Sequence, residues 1–112
     1  MKALQSILFG VALREVIGST DRQVVDIQID SRKVISGSIF VAIVGVQVDG
    51  HSFINTAIEN GASIIVCEIL PEIIIEKVTY LVVENAQEAV AIMAHQFYDE
   101  PSTKLKLVGV TG

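Results

Sequence analysis

Two kinds of pattern alternate along the chain. "SIFVAIVG" (Ser38–Gly45) and "SIIVCE" (Ser63–Glu68) are apolar without interruption and rich in β-branched residues. That is the pattern of strands covered on both faces. "VVDIQID" (Val24–Asp30) alternates instead, with Val25, Ile27 and Ile29 on one face and Asp26, Gln28 and Asp30 on the other. It predicts a strand with one face open. "TYLVVE" (Thr79–Glu84) and "KLVGV" (Lys106–Val110) read as further strands. Between them, apolar residues return at helical spacing. Phe53, Ile54, Ala57 and Ile58 share a face over Phe53–Asn60, with Ser52 as the predicted N-cap and Gly61 where a left-handed C′ residue belongs. Val90, Met93, Ala94 and Phe97 form a stripe over Ala86–Tyr98, with Glu88 and His95 opposite, and Pro101 stops the helix. Pro71–Lys77 reads as a connection. "MKALQSILFGVALREVIGST" resembles a weak signal peptide but lacks an A-x-A cleavage site, and Glu15 with the caps that follow predicts an amphipathic helix there.

Strand, helix, strand, strand, helix, strand is an α/β order. It predicts a three-layer domain around a mainly parallel, Rossmann-like sheet, with ligands at the carboxyl ends of the strands. The 112 residues, 51% of them apolar, suffice for one domain with its own core. No apolar run reaches the roughly 18 residues of a membrane span, so no membrane partner is expected. Cys67 is the only cysteine, which excludes an internal disulfide and a multi-cysteine metal site. Its apolar setting predicts a buried thiol, and the setting as a whole suggests a reducing cytoplasm. A net charge of −5 argues against nucleic acid as a partner. Any phosphate would have to be met by local donors rather than by a positive field.

Two strand ends carry candidate chemistry. In "IDSRKVISGSIF" (Ile29–Phe40), Asp30, Ser31 and Arg32 follow the alternating strand. Ser31 offers a hydroxyl, and Arg32 offers planar donors suited to phosphate or carboxylate. On chemistry alone the simpler reading is a capped turn with a solvated arginine. In "VGVQVDGH" (Val44–His51), Gly45 and Gly50 bracket a loop after the most buried strand, and Gln47 carries both donor and acceptor. The plain alternative is an ordinary βα loop. His51 and His95 lack ligand-spaced companions, so His51 is expected to be a residue at a helix start and not a metal ligand. No Ser-His-Asp arrangement or compelling carboxylate pair is legible. No strand is followed by G-x-G-x-x-G, which disfavours a dinucleotide oxidoreductase. "VGVTG" supplies only the first glycine of a phosphate-binding loop, without its lysine.

Taken together, "DSRKVISGSIFVAIVGVQVDGHSFINTAIENGASIIVCE" (Asp30–Glu68) resembles the N-terminal domain of the Mur ligases. The shared pattern is D-[ST]-R, a Pro-Gly-like turn in which Ser36 replaces the proline, F-V-A, G, D-G-H, F-I, A and GA. "FYDEPSTKLKLVGVTG" (Phe97–Gly112) resembles the approach to that family's ATP loop, in the form typical of the MurE type. The resemblance implies residues 1–104 as a UDP-substrate-binding domain and residues 105–112 as the start of a central ATPase domain. The chain would then be a fragment without catalytic residues. The whole enzyme would use ATP and Mg²⁺ to activate a carboxylate of UDP-MurNAc-L-Ala-D-Glu as an acyl phosphate, which the amine of diaminopimelate or lysine attacks. It would do so in the cytoplasm, with its own central and C-terminal domains as partners. By matching motifs, Ile29, Ser31, Val46, Gln47 and Val48 would contact the UDP moiety. Asp30, Arg32, Gly45, Asp49 and Gly50 would shape the loops. A histidine is usual in the family where Val46 stands, which leaves backbone contacts and Gln47. No cofactor or metal is expected within the fragment itself. The alternatives are the MurF type, which shares "DSR" and "DGH", and a non-catalytic nucleotide-binding module.

Overall fold

The computed structural model describes residues 2–45 and 49–98. Val46, Gln47 and Val48, the strand predicted at Lys106–Val110 and the segment 105–112 lie outside them. Three strands form the centre: β5 (Ile39–Val41), β6 (Ile64–Cys67) and β7 (Thr79–Val83). Every residue in them is buried. β4 (Ile27–Gln28) extends the sheet parallel to β5, and β5, β6 and β7 run parallel to one another. β2 (Leu13–Ile17) closes the other edge, antiparallel to β7, giving the order β2-β7-β6-β5-β4. A small antiparallel pair, β1 (Lys2–Ala3) with β3 (Gln23–Val24), stands apart from this sheet.

The unbroken apolar runs follow from cover on both faces. Ile39, Val41, Ile64, Val66, Leu81 and Val83 point to one side, into a core closed by α1 (Leu4–Ile7) and α3 (Ala86–Phe97). Phe40, Ile65, Cys67, Tyr80 and Val82 point to the other, under α2 (Ile54–Asn60). This is the three-layer α/β arrangement the sequence predicts, built on a mixed sheet with one antiparallel edge. α3 keeps its predicted extent closely. Met93 is fully buried, Val90 and Phe97 pack against the same core, and Glu88 and His95 are exposed. Asn85 caps it by accepting from the Glu88 N–H at 2.9 Å. Residues 71–77 form no helix or strand, as expected of a connection.

Three expectations are corrected. The opening twenty residues are not one amphipathic helix. α1 spans four residues, Gly10 takes φ +87°, and the chain returns as β2. An edge strand with Arg14, Glu15 and Val16 exposed imitates a polar helix face, and pairing with β7 overrides the local preference. The alternating stretch 24–30 is also not one strand. β3 pairs with β1, and only β4 joins the main sheet, so fully buried Val24 serves the core. Nor does Ser52 cap α2. Asp49 caps a 3₁₀ turn over Gly50–Phe53 that runs into the helix.

Gly61 ends α2 at φ +119°, and a Cβ there would lie 2.7 Å from Ser36 Cα. Gly61→Ala is therefore expected to cost about 2–3 kcal/mol, combining left-handed strain with overpacking. Gly10→Ala, whose Cβ would meet nothing closer than Ile92 Cγ2 at 3.9 Å, should cost only the conformational part, about 1 kcal/mol. Urea unfolding of the two variants checks the difference. Equal losses would contradict the close contact at Ser36.

Candidate functional site

At the carboxyl ends of β4 and β5 the sheet opens into a cleft of about 570 Å³. Among the described residues it is lined by Ile29, Asp30, Ser31, Arg32, Ile43, Gly50 and Phe53. Ile29 and Phe53, both exposed, contribute apolar surface to it, 60% and 40% open respectively. The lining is therefore mixed, with aliphatic and aromatic surface beside hydroxyl, carboxylate and guanidinium groups.

The first wall is a 3₁₀ turn, Ser31–Lys33, started by Asp30. Asp30 Oδ1 accepts from the Arg32 backbone N–H at 2.9 Å. The Arg32 guanidinium folds back on the same carboxylate, with Nε to Oδ1 at 3.0 Å and Nη2 to Oδ2 at 2.9 Å. These bonds hold the Asp30 carboxyl down at about 2, the Arg32 side chain contributing most and its backbone N–H next. Arg32 is correspondingly harder to deprotonate because it donates to Asp30. A bidentate pair consumes two of five guanidinium donors and matches the charge on the spot. Ser31 is nearly buried, at 6% exposure. Its carbonyl accepts from Asn60 Nδ2 at 2.8 Å, so the last residue of α2 fixes the turn. Its hydroxyl makes no hydrogen bond among the described residues.

The second wall is the segment after β5. Val44 and Asp49 form an antiparallel bridge that closes the neck of the loop between them. The Gly50 N–H donates to the Ile43 carbonyl at 2.8 Å. A Cβ on Gly50 would meet Ile43 N at 2.6 Å and Ile43 O at 2.9 Å, so only glycine fits. Gly45 is exposed and has no positive φ. Asp49 Oδ1 accepts from the His51 N–H at 2.9 Å and meets His51 Nδ1 at 2.7 Å. The backbone bond first, and the ring second, lower the Asp49 carboxyl below its usual range.

The fold thus brings Ile29, Asp30, Ser31, Arg32 and Gly50 to one cleft, with Asp49 at its rim. Val46, Gln47 and Val48 lie outside the described residues. Sequence reasoning missed Ile43, Phe53 and Asn60. Phe53 was read only as a helix-face residue, and the lone signal at Asn60 was its place before Gly61. Cys67 lies in the core, and burial pushes its thiol up to about 11, which leaves it without nucleophilic character. His95 is exposed on α3, away from the cleft lining. Among the described residues no three His, Cys, Asp or Glu side chains are grouped to hold a metal, and no helix is long and apolar enough to cross a membrane.

A mixed sheet flanked by helices, with a cleft at the carboxyl ends of its parallel strands, places the chain in the α/β class. The family described as "Mur ligase family, catalytic domain" matches residues 23–98, and the chain belongs to it. It is 47% identical over 109 residues to the UDP-N-acetylmuramoyl-L-alanyl-D-glutamate--2,6-diaminopimelate ligase of Phocaeicola vulgatus, covering 97% of this chain and 22% of that protein. Among solved structures it resembles the UDP-N-acetylmuramoylalanyl-D-glutamyl-2,6-diaminopimelate--D-alanyl-D-alanyl ligase of Acinetobacter baumannii, with a TM-score of 0.68 and 21% identity over 85% of this chain and 21% of that one. It also resembles the MurF ligase of Thermotoga maritima in complex with ADP, with a TM-score of 0.56 and 31% identity over 63% of this chain and 16% of that one. The chain spans about a fifth of the length of the curated relatives it matches.

The depressed Asp30 carboxyl gives a pH prediction with a definite sign. A group whose folded pKa is lowered contributes stability above its unfolded value and loses it as pH falls through the folded one. The stabilisation of the turn should therefore be complete above the ordinary aspartate value and fall away progressively as pH drops from there to about 2. In a ¹³C titration of side-chain carboxyls, Arg32→Gln should return Asp30 toward the ordinary aspartate range. An unchanged midpoint would show that the guanidinium is not the cause.

Proposed function

We propose that this chain is the substrate-anchoring domain of an ATP-dependent amide ligase of peptidoglycan synthesis. It would hold the uridine diphosphate end of UDP-MurNAc-L-Ala-D-Glu while other domains of the same polypeptide join diaminopimelate to the glutamate. The observation that carries this reading is the meeting of two segments in one cleft. The D-S-R turn and the D-G-H segment are far apart in sequence, yet Ser31 and Gly50 line the same space. The names of the relatives support this substrate, and favour diaminopimelate over lysine as the residue added. The fold likeness to the Acinetobacter ligase keeps the MurF type as a second reading. Both types would hold the same uridine diphosphate end.

The division of roles follows from the walls. Ile29 and Phe53 offer apolar contact to the nucleobase and ribose. Ser31, with a hydroxyl otherwise unspent among the described residues, donates to a phosphate oxygen. Arg32, already paired with Asp30, keeps the turn in shape and leaves its outer N–H edge for the diphosphate. Val46, Gln47 and Val48 complete the grip as a uridine-contacting tripeptide, a role supported by the family motif and by the loop neck at Val44 and Asp49. ATP with Mg²⁺ supplies the activation of the carboxylate when bound. The family motif supports assigning that binding to other domains of the same polypeptide, with residues 105–112 as the approach to them. The reaction belongs in the cytoplasm, where nucleotide-activated precursors and ATP are available and Cys67 stays a thiol. The anchoring domain does no chemistry. It uses the nucleotide handle to position the reacting end of the substrate.

In the ligase that carries this chain, Ser31→Ala is expected to raise KM for the UDP-linked substrate about three- to tenfold. That corresponds to the net worth of one ordinary, partly solvated hydrogen bond, with kcat largely retained. UDP added to the chain should shift the backbone amides of Ser31 and Gly50 in an NMR titration. Shifts confined to the surroundings of Cys67 or His95 would overturn the assignment.

A further inference from the structure

His51 is the point at which the cleft is tied to the rest of the sheet. Its side chain is 15% exposed, and both ring nitrogens are engaged. Nε2 accepts from two backbone donors at the end of β6, the Glu68 N–H at 3.0 Å and the Ile69 N–H at 3.2 Å. Two donors converge on that nitrogen, so it must present its lone pair. The proton therefore sits on Nδ1, which donates to Asp49 Oδ1 at 2.7 Å. The Glu68 side chain continues the line, its Oε2 accepting from the Ala86 N–H at 2.8 Å at the start of α3. One imidazole thus links the loop after β5, the end of β6 and, through Glu68, the start of α3.

We infer that His51, locked as the neutral Nδ1–H tautomer, is a positioning residue for the nucleotide cleft. By tying Asp49 and Gly50 to the end of β6, it fixes the neck of the 44–49 loop before any ligand arrives. The inference rests on the proposed function for its substrate consequence and on the hydrogen bonds alone for its structural one. His51 touches no substrate in this scheme; it acts through Asp49 and Gly50. The chemistry admits few substitutes. An alanine leaves the two N–H groups without a partner and Asp49 with only the backbone N–H of residue 51. A glutamine can place its Oε1 before the two N–H groups and its amide N–H toward Asp49. A leucine fills the space and makes neither bond.

Three measurements on wild type, His51→Gln, His51→Ala and His51→Leu test this. Long-range ¹H–¹⁵N spectra of the chain should show wild-type Nδ1 protonated and Nε2 bare at neutral pH. The opposite tautomer, or a mixture, would overturn the inference. Hydrogen exchange at the Glu68 and Ile69 amides should accelerate about tenfold or more in the alanine and leucine variants, and less in the glutamine variant. Equal exchange in all four proteins would overturn it. In the full ligase, KM for the UDP-linked substrate should rise on the order of tenfold for alanine and leucine with kcat little changed, and glutamine should restore part of it. If exchange and tautomer behave as stated but UDP fails to perturb the wild-type cleft, the nucleotide reading falls and the tie stands. If UDP binds wild type as expected but the alanine and leucine variants bind it equally well, the positioning role falls and the nucleotide reading stands.

Discussion

The architecture of the cleft depends on one close approach. Gly50 lies against the backbone of Ile43 and Ala42 with no room for a Cβ, and donates its N–H to the Ile43 carbonyl at 2.8 Å. The chain leaves β5, makes a loop, and comes back onto its own strand extension. That return sets where Asp49, His51 and Phe53 stand, because the 3₁₀ turn at Gly50–Phe53 feeds directly into α2. α2 in turn delivers Asn60 to the Ser31 carbonyl at its far end. A contact that only glycine permits thus governs both walls, one directly and the other through the length of a helix.

The sheet explains why the cleft is where it is. β5, β6 and β7 are covered on both faces, so their flanks have no surface to offer a ligand. Free backbone and polar side chains gather where the parallel strands end. β4 is only two residues long, and its successor, the D-S-R turn, arrives beside the end of β5. The parallel register, Ile27 beside Ile39 and Gln28 beside Phe40, puts both exits at the same level. A crevice between neighbouring exits is the general outcome of this topology.

Much of this could be read from the sequence, and the parts that could not have physical reasons. Cover on both faces is written into Ser63–Glu68 because every position must be apolar. α3 is legible because its stripe is long and periodic. The edge strand β2 is hard to read because its alternation is weak and its exposed residues include the charged Arg14 and Glu15. Its existence is decided by β7, some sixty residues away. The D-S-R and D-G-H segments were visible as strand-end motifs, but that they meet is a property of the register. Phe53 shows the limit well. Its helical spacing marked it for the core, and the 3₁₀ start of the helix turns it out toward the cleft instead. His51 likewise gave no hint in sequence of its bond to Glu68 and Ile69, since backbone donors leave no trace in side-chain identity.

The electrostatics of the cleft bear on how it would hold an anion. The chain carries a net charge of −5, and the one arginine in the cleft is spent largely on Asp30. Long-range attraction for a diphosphate is therefore weak, and the phosphate must be met by neutral donors and by what remains of the Arg32 edge. On the proposed reading such a site would grip by geometry rather than by field, through a hydroxyl, backbone N–H groups and apolar contact, each effective only at short range and in one orientation. Its affinity would be modest and little affected by salt, since few counterions are displaced. On the proposed reading, a domain that orients a long substrate and then releases its product would need no more than that. A strongly cationic cleft would hold such a ligand tightly throughout, and binding that is equal in substrate and transition state does not accelerate the chemical step.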